Sequence, residues 1–126
     1  MLPQLKAPVL NVVDAAGFRR EVLDAEGPVL VAFTAHWCPF CRRFQPLFDE
    51  LAAGFPARAA AVWLDVDEDP LWDAYRVAVV PTVAVFRNGR VSARLDGVLG
   101  RGLLRGELEA FLEANRGRGA GASREP

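Results

Sequence analysis

The chain has 126 residues, 52% of them apolar, which suits one domain with a real core and excludes a disordered chain. Its formal net charge is −1, so composition offers no electrostatic case for nucleic acid or an anionic membrane. With two cysteines and one histidine it is too poor in both to read as a disulfide-stapled scaffold.

The N-terminus lacks a basic start followed by a long apolar stretch, so no signal peptide is expected. No apolar run approaches the ~20 residues needed to span a bilayer. The expected compartment is the cytoplasm. There a lone cysteine pair is redox-active or catalytic more often than structural.

Residues 1–8 read as an N-terminal extension, and Pro8 to Val13 as a first short strand. Asp14 offers a helix N-cap, with Ala15, Phe18 and Val22 at helical spacing behind it, and Gly27-Pro28 closing the segment. Val29-Leu30-Val31-Ala32-Phe33 is apolar without alternation, the pattern of a strand buried on both faces. Cys38-Pro39-Phe40-Cys41 follows, and then Phe44, Leu47, Phe48, Leu51 and Phe55 fall on one helical face. Pro39 suits the first helical turn, and Pro46 lies inside the helix, where a kink is expected.

Val62, Leu64 and Val66 alternate with Trp63, Asp65 and Asp67, which predicts a strand. Asp69-Pro70 predicts the start of a short helix through Tyr75, and Thr82 to Phe86 another strand. Asn88-Gly89 is a hairpin signal, followed by alternating Val91, Ala93 and Leu95. Leu104, Leu108, Phe111 and Leu112 form the stripe of a last helix, ended by Gly117. Residues 117–126 are Gly-, Ala- and Arg-rich and read as a disordered tail, leaving 9–116 as the domain. The order β-α-β-α-β-α-β-β-α predicts an α/β fold: a central mixed five-stranded sheet flanked by four helices.

Cysteines at i and i+3 at a helix start can close a disulfide. Cys38 stands at the helix N-terminus, where unpaired N–H groups and the macrodipole favour a thiolate. Cys41 lies one turn in, nearer the core, and is expected to stay a thiol. Cys38 is therefore the expected nucleophile and Cys41 the resolving thiol, acting through a mixed disulfide. A zinc site is the alternative for a C-x-x-C, but it needs two more ligands, and the sequence has one histidine and no further cysteine. No metal and no cofactor are expected.

The stretch from Val29 to Cys41 resembles the active-site strand and helix start of thioredoxins. Pro46 looks like that family's helix proline, Val80-Pro81-Thr82 like its cis-proline loop, and Asp96-Gly97 like the glycine near its last strand. The similarity runs from Val9 to Asn115. It implies the thioredoxin fold, a cis Val80–Pro81 bond facing the dithiol, and a docking surface of Trp37, Pro39, Phe40, Val80, Pro81 and Gly97. It also implies protein disulfides as substrates, an upstream reductase of the thioredoxin-reductase type, and a monomer.

Three departures from the family stand out. Pro39-Phe40 stands where thioredoxins have Gly-Pro, which is closer to glutaredoxins. Ala32 replaces a buried Asp, and Trp63 replaces the Lys that partners it. An apolar patch is expected behind the dithiol, with water carrying the Cys41 proton. His36 reads either as an exposed loop histidine or as a cation that helps lower the Cys38 pKa. Asp65, Asp67, Glu68 and Asp69 read as a solvated edge. The expected function is reduction or exchange of protein disulfides. The alternatives are a glutathione-dependent, glutaredoxin-like reductase and a non-enzymatic binding module on the same scaffold.

Overall fold

The computed structural model describes residues 9–116; the extension over 1–8, the tail over 117–126 and the helix stop at Gly117 lie outside them. Five strands form one sheet in the order β1-β3-β2-β4-β5. They are β1 (Leu10–Val12), β2 (Val29–Thr34), β3 (Arg58–Trp63), β4 (Thr82–Arg87) and β5 (Arg90–Leu95). β1 and β2 run parallel to β3, while β4 is antiparallel to both β2 and β5. This is the expected mixed sheet. All six residues of β2 are buried because it is central in the sheet and covered on both faces.

Helices α1 (Ala15–Phe18), α2 (Pro39–Ala52), α3 (Leu71–Ala74) and α4 (Arg105–Arg116) cover the two faces. One core joins Val29, Val31 and Phe33 of β2 to Phe18 and Val22, with Leu71, Trp72 and Tyr75 packed against it. The other joins Leu30 and Ala32 to Phe44 and Phe48 of α2 and Leu108 and Leu112 of α4. Strand alternation thus sends odd-numbered β2 side chains towards α1 and α3, and even-numbered ones towards α2 and α4. No helix among the described residues is long and apolar enough to cross a membrane.

Asp14 caps α1 by accepting from the Gly17 N–H at 2.8 Å. The helix then widens into a π segment, Arg19–Leu23, closed by the Asp24 N–H on the Arg19 carbonyl. Asp69 accepts from the Leu71 N–H at 2.9 Å but stands two residues before α3, whose N-cap is Pro70 rather than the expected Asp69. Asn88 and Gly89 form the β4–β5 turn, both with positive φ.

Three local expectations are corrected. β3 spans Arg58–Trp63, earlier than the alternation suggested; Leu64 is buried just beyond it and Val66 is exposed. Pairing with β2, from Val29 opposite Arg58 to Thr34 opposite Trp63, sets the strand, and its alanines carry no sequence signal for it. Phe55 lies past the end of α2 yet is buried, held by its N–H on the Ala52 carbonyl. Leu104 is exposed and precedes α4. Its N–H donates to Glu107, and Leu103 is buried instead.

Candidate active site

The dithiol sits at the junction of β2 and α2. Cys38 is the N-cap of α2, in an extended conformation, with Pro39 in the first turn. Both cysteines are free thiols and buried, Cys38 at 5% exposure and Cys41 at 1%. The contrast between them is therefore positional: Cys38 ends the approach to the helix, and Cys41 lies inside its first turn. Burial pushes the Cys41 thiol up to about 11; the Thr34 hydroxyl acts the other way, Cys38 adds to the rise, and the Ala35 backbone opposes it.

The Val80–Pro81 bond is cis, and the Cys38 thiol donates to the Val80 carbonyl at 3.7 Å. This loop is tied down on its far side. Thr82 Oγ1 donates to the Val79 carbonyl at 2.7 Å and accepts the Gly97 N–H at 3.1 Å. Gly97 backs directly onto the Pro81 carbonyl oxygen, where a Cβ would collide with it. Arg94 reaches from β5 to the Tyr75 carbonyl at 2.6 Å, the Arg76 carbonyl at 3.2 Å and Asp96 at 2.7 Å, fixing the chain that leads into the loop.

The residues expected to dock substrate fall into two groups. Trp37 and Pro39 are exposed, and Phe40 and Gly97 are half-buried. Val80 and Pro81 are buried, because the dithiol and the glycine-bearing segments close over them. Trp37 stacks on Trp72, with centroids 6.4 Å apart, and Arg43 lies over the Phe40 ring at 5.1 Å. Gly102, at φ +80°, presses on Phe40 and Pro81; a Cβ there would come within 3.0 Å of the Phe40 Cβ.

His36 is exposed but not free. Its Nδ1 meets Asp65 Oδ2 at 2.6 Å, its backbone N–H donates to Asp65 Oδ1, and its ring stacks on Trp63 with centroids 3.7 Å apart. Burial would raise the Asp65 carboxyl, but the two His36 hydrogen bonds outweigh it and hold Asp65 below the usual carboxylate range. Asp65 is thus exposed, as expected of the acidic run, and is also a partner of His36.

Ala32 is fully buried in the apolar core of Leu30, Phe44 and Phe48, whereas both cysteines pack in the other core with Phe33, Ala35 and Val80. Trp63 joins neither. Its ring is half-buried against His36, and its Nε1 donates to Asn11 at 2.9 Å. Thr34, which carries no motif signal, contributes a hydroxyl to the Cys41 surroundings. Gly102 and Arg94 likewise enter the site through the fold alone.

The thioredoxin family model matches residues 9–110. A thioredoxin of Pseudomonas aeruginosa is 37% identical over 108 residues, covering 85% of this chain and 95% of that protein. A thioredoxin of Synechocystis is 35% identical over 101 residues, covering 79% and 94%. Among solved structures, a mutant thioredoxin from Halobacterium salinarum is similar with a TM-score of 0.68 and 28% identity, covering 86% of this chain and 91% of that one.

Proposed function

This chain belongs to the thioredoxin family and is a thiol–disulfide oxidoreductase, and on that premise we propose that it reduces or exchanges protein disulfides through Cys38 and Cys41. Cys38 thiolate attacks one sulfur of a substrate disulfide, and the other substrate sulfur leaves with the electron pair. Cys41, losing its proton, then attacks the Cys38 sulfur. The second substrate thiol is released, and a Cys38–Cys41 disulfide remains. An upstream reductase returns the pair to thiols. The protein acts in the cytoplasm as a monomer, its own two cores covering both sheet faces.

The observation that carries this reading is the dithiol at the amino end of α2 beside the Val80 carbonyl. A helix N-terminus favours negative charge on Cys38. Trp37, Pro39, Phe40 and Gly97 form the rim against which an extended substrate segment lies, with Val80 and Pro81 as its floor. The glutathione-dependent reading has Pro39-Phe40 alone in its favour.

Equilibration in thiol–disulfide buffers tests the proposal. A reversible two-electron titration below the potential of the glutathione pool is expected, with disulfide reduction abolished in Cys38→Ser. A chain that forms no Cys38–Cys41 bond under any buffer overturns it.

A further inference from the structure

We propose that the Thr34 hydroxyl is a positioning group for the resolving step, donating a hydrogen bond to the Cys41 sulfur as that sulfur becomes a thiolate. The inference rests on the dithiol reading above and names the residue that makes its second half feasible.

Thr34 is the last residue of β2 and is fully buried. Its backbone carbonyl accepts the Leu64 N–H at 2.8 Å, but its Oγ1 is buried without a hydrogen-bond partner. A buried hydroxyl left unpaired costs free energy, so such groups call for an explanation. Alternation along β2 puts Thr34 on the same face as Leu30 and Ala32, the face that α2 covers. Cys41 sits in the first turn of α2 and packs in the core that holds Phe33 and Ala35, the chain neighbours of Thr34, and the Thr34 hydroxyl acts on it in the direction that favours the thiolate.

A thiol is a weak acceptor and a thiolate a strong one. The hydroxyl is therefore a donor without an acceptor in the dithiol state, and it gains one when Cys41 ionises. Apart from Thr34, the groups acting on Cys41 are the Ala35 backbone and Cys38. Ala32, two residues earlier on the same face, offers no polar atom in its side chain.

The step balances without any added reactant. In the mixed disulfide the Cys41 S–H proton departs, and the Cys41–Cys38 S–S bond forms. The bond from Cys38 to the substrate sulfur breaks, and that sulfur leaves with the electron pair and takes up a proton. Thr34 gains and loses no proton overall; it holds the thiolate in place and lowers the cost of forming it. Because Cys41 is mostly a thiol near neutrality, the resolving rate scales with its thiolate fraction.

Mixing the reduced protein with a high concentration of a chromogenic aromatic disulfide separates the two steps. One aromatic thiol is released in a bimolecular phase by Cys38, and a second in a unimolecular phase by Cys41. Thr34→Val, which keeps shape and removes the donor, is expected to slow the unimolecular phase about tenfold near neutral pH. Its pH profile shifts upward by about one unit, and the bimolecular phase is unchanged. Thr34→Ala carries the same expectation should valine strain the strand, and Thr34→Ser is expected to restore the parent rate and profile. A Thr34→Val unimolecular phase equal to the parent's, or a Thr34→Ser variant as slow as valine, overturns the role of the hydroxyl. A parent that releases one thiol only overturns the dithiol reading, and this inference with it.

Discussion

His36 and Asp65 hold each other twice: the imidazole Nδ1 meets one carboxylate oxygen at 2.6 Å, and the His36 backbone N–H donates to the other at 2.6 Å. The residues are 29 apart in sequence and join the approach to α2 to the exit of β3. Arg42 adds a hydrogen bond from α2 to the His36 carbonyl at 3.0 Å. The segment carrying Trp37 and Cys38 is thereby tethered from both sides.

Asp65→Ala is expected to cost about 1 kcal/mol or less, since both partners are solvent-accessible. Its larger effect falls on substrate docking through loosening of Trp37, read as a rise in KM for a protein disulfide with little change in kcat. The folded-state pKa of Asp65 is depressed. Its contribution is therefore present above the unfolded carboxylate pKa and lost as pH falls through the lower folded value. Urea midpoints of parent and variant should converge in acid, below about pH 4.

Cys41 has the opposite sign. Its folded pKa is raised, from about 9 to about 11, chiefly by burial. The stability from keeping it a thiol is fully present below about 9 and is lost as pH rises towards about 11. The reduced protein should lose denaturation midpoint across that window, whereas the oxidised protein, which has no thiol to titrate, should not lose stability from this source. Alkylation followed by peptide mapping should find Cys41 unmodified at neutral pH.

Much of this architecture is legible in the sequence for simple reasons. The unbroken apolar run of β2, the Asn88-Gly89 turn and the helix-start dithiol each announce themselves within a few residues. What is not legible depends on pairing between distant segments. The start of β3 lies in alanines that favour a strand only because β1 and β2 flank them. The His36–Asp65 clasp and the seating of Gly102 against Phe40 of α2 join segments that composition cannot bring together. Thr34 is an ordinary strand residue until α2 places Cys41 beside it.

Gly97→Ala probes the close approach to the cis-proline loop. The added Cβ would strike the Pro81 carbonyl oxygen, which belongs to the backbone and cannot swing aside as a flexible side chain would. A loss of about 1–3 kcal/mol is expected from the forced shift. Disulfide exchange should slow as well, because the same backbone displacement reaches the Val80 carbonyl that faces Cys38. Chemical denaturation and stopped-flow exchange check the two effects separately.

Arg94→Met removes the hydrogen bonds to the Tyr75 and Arg76 carbonyls and the ion pair with Asp96 while keeping an apolar stem. A cost of about 1–3 kcal/mol is expected, because carbonyls held by a charged donor lose their partner. Arg94→Lys should restore little of it, since one ammonium cannot reproduce the guanidinium fork that reaches both carbonyls. Faster amide hydrogen exchange is expected at Val77, whose N–H closes the turn onto the Trp72 carbonyl.

Ala32→Asp places a carboxyl in the apolar cluster of Leu30, Phe44 and Phe48, on the face that carries Thr34. Burial there raises the carboxyl pKa, so the variant should be destabilised by about 2–4 kcal/mol at neutral pH. The penalty should grow as pH rises from the unfolded carboxylate pKa to the raised folded one, because the unfolded chain loses its proton first. Above that folded pKa the carboxylate can accept the Cys41 proton, and the unimolecular release phase should run faster than in the parent. A folded variant that resolves no faster at any pH would mean that proton removal does not limit Cys41. The benefit of the Thr34 hydroxyl would then lie in stabilising and placing the thiolate rather than in helping the proton leave.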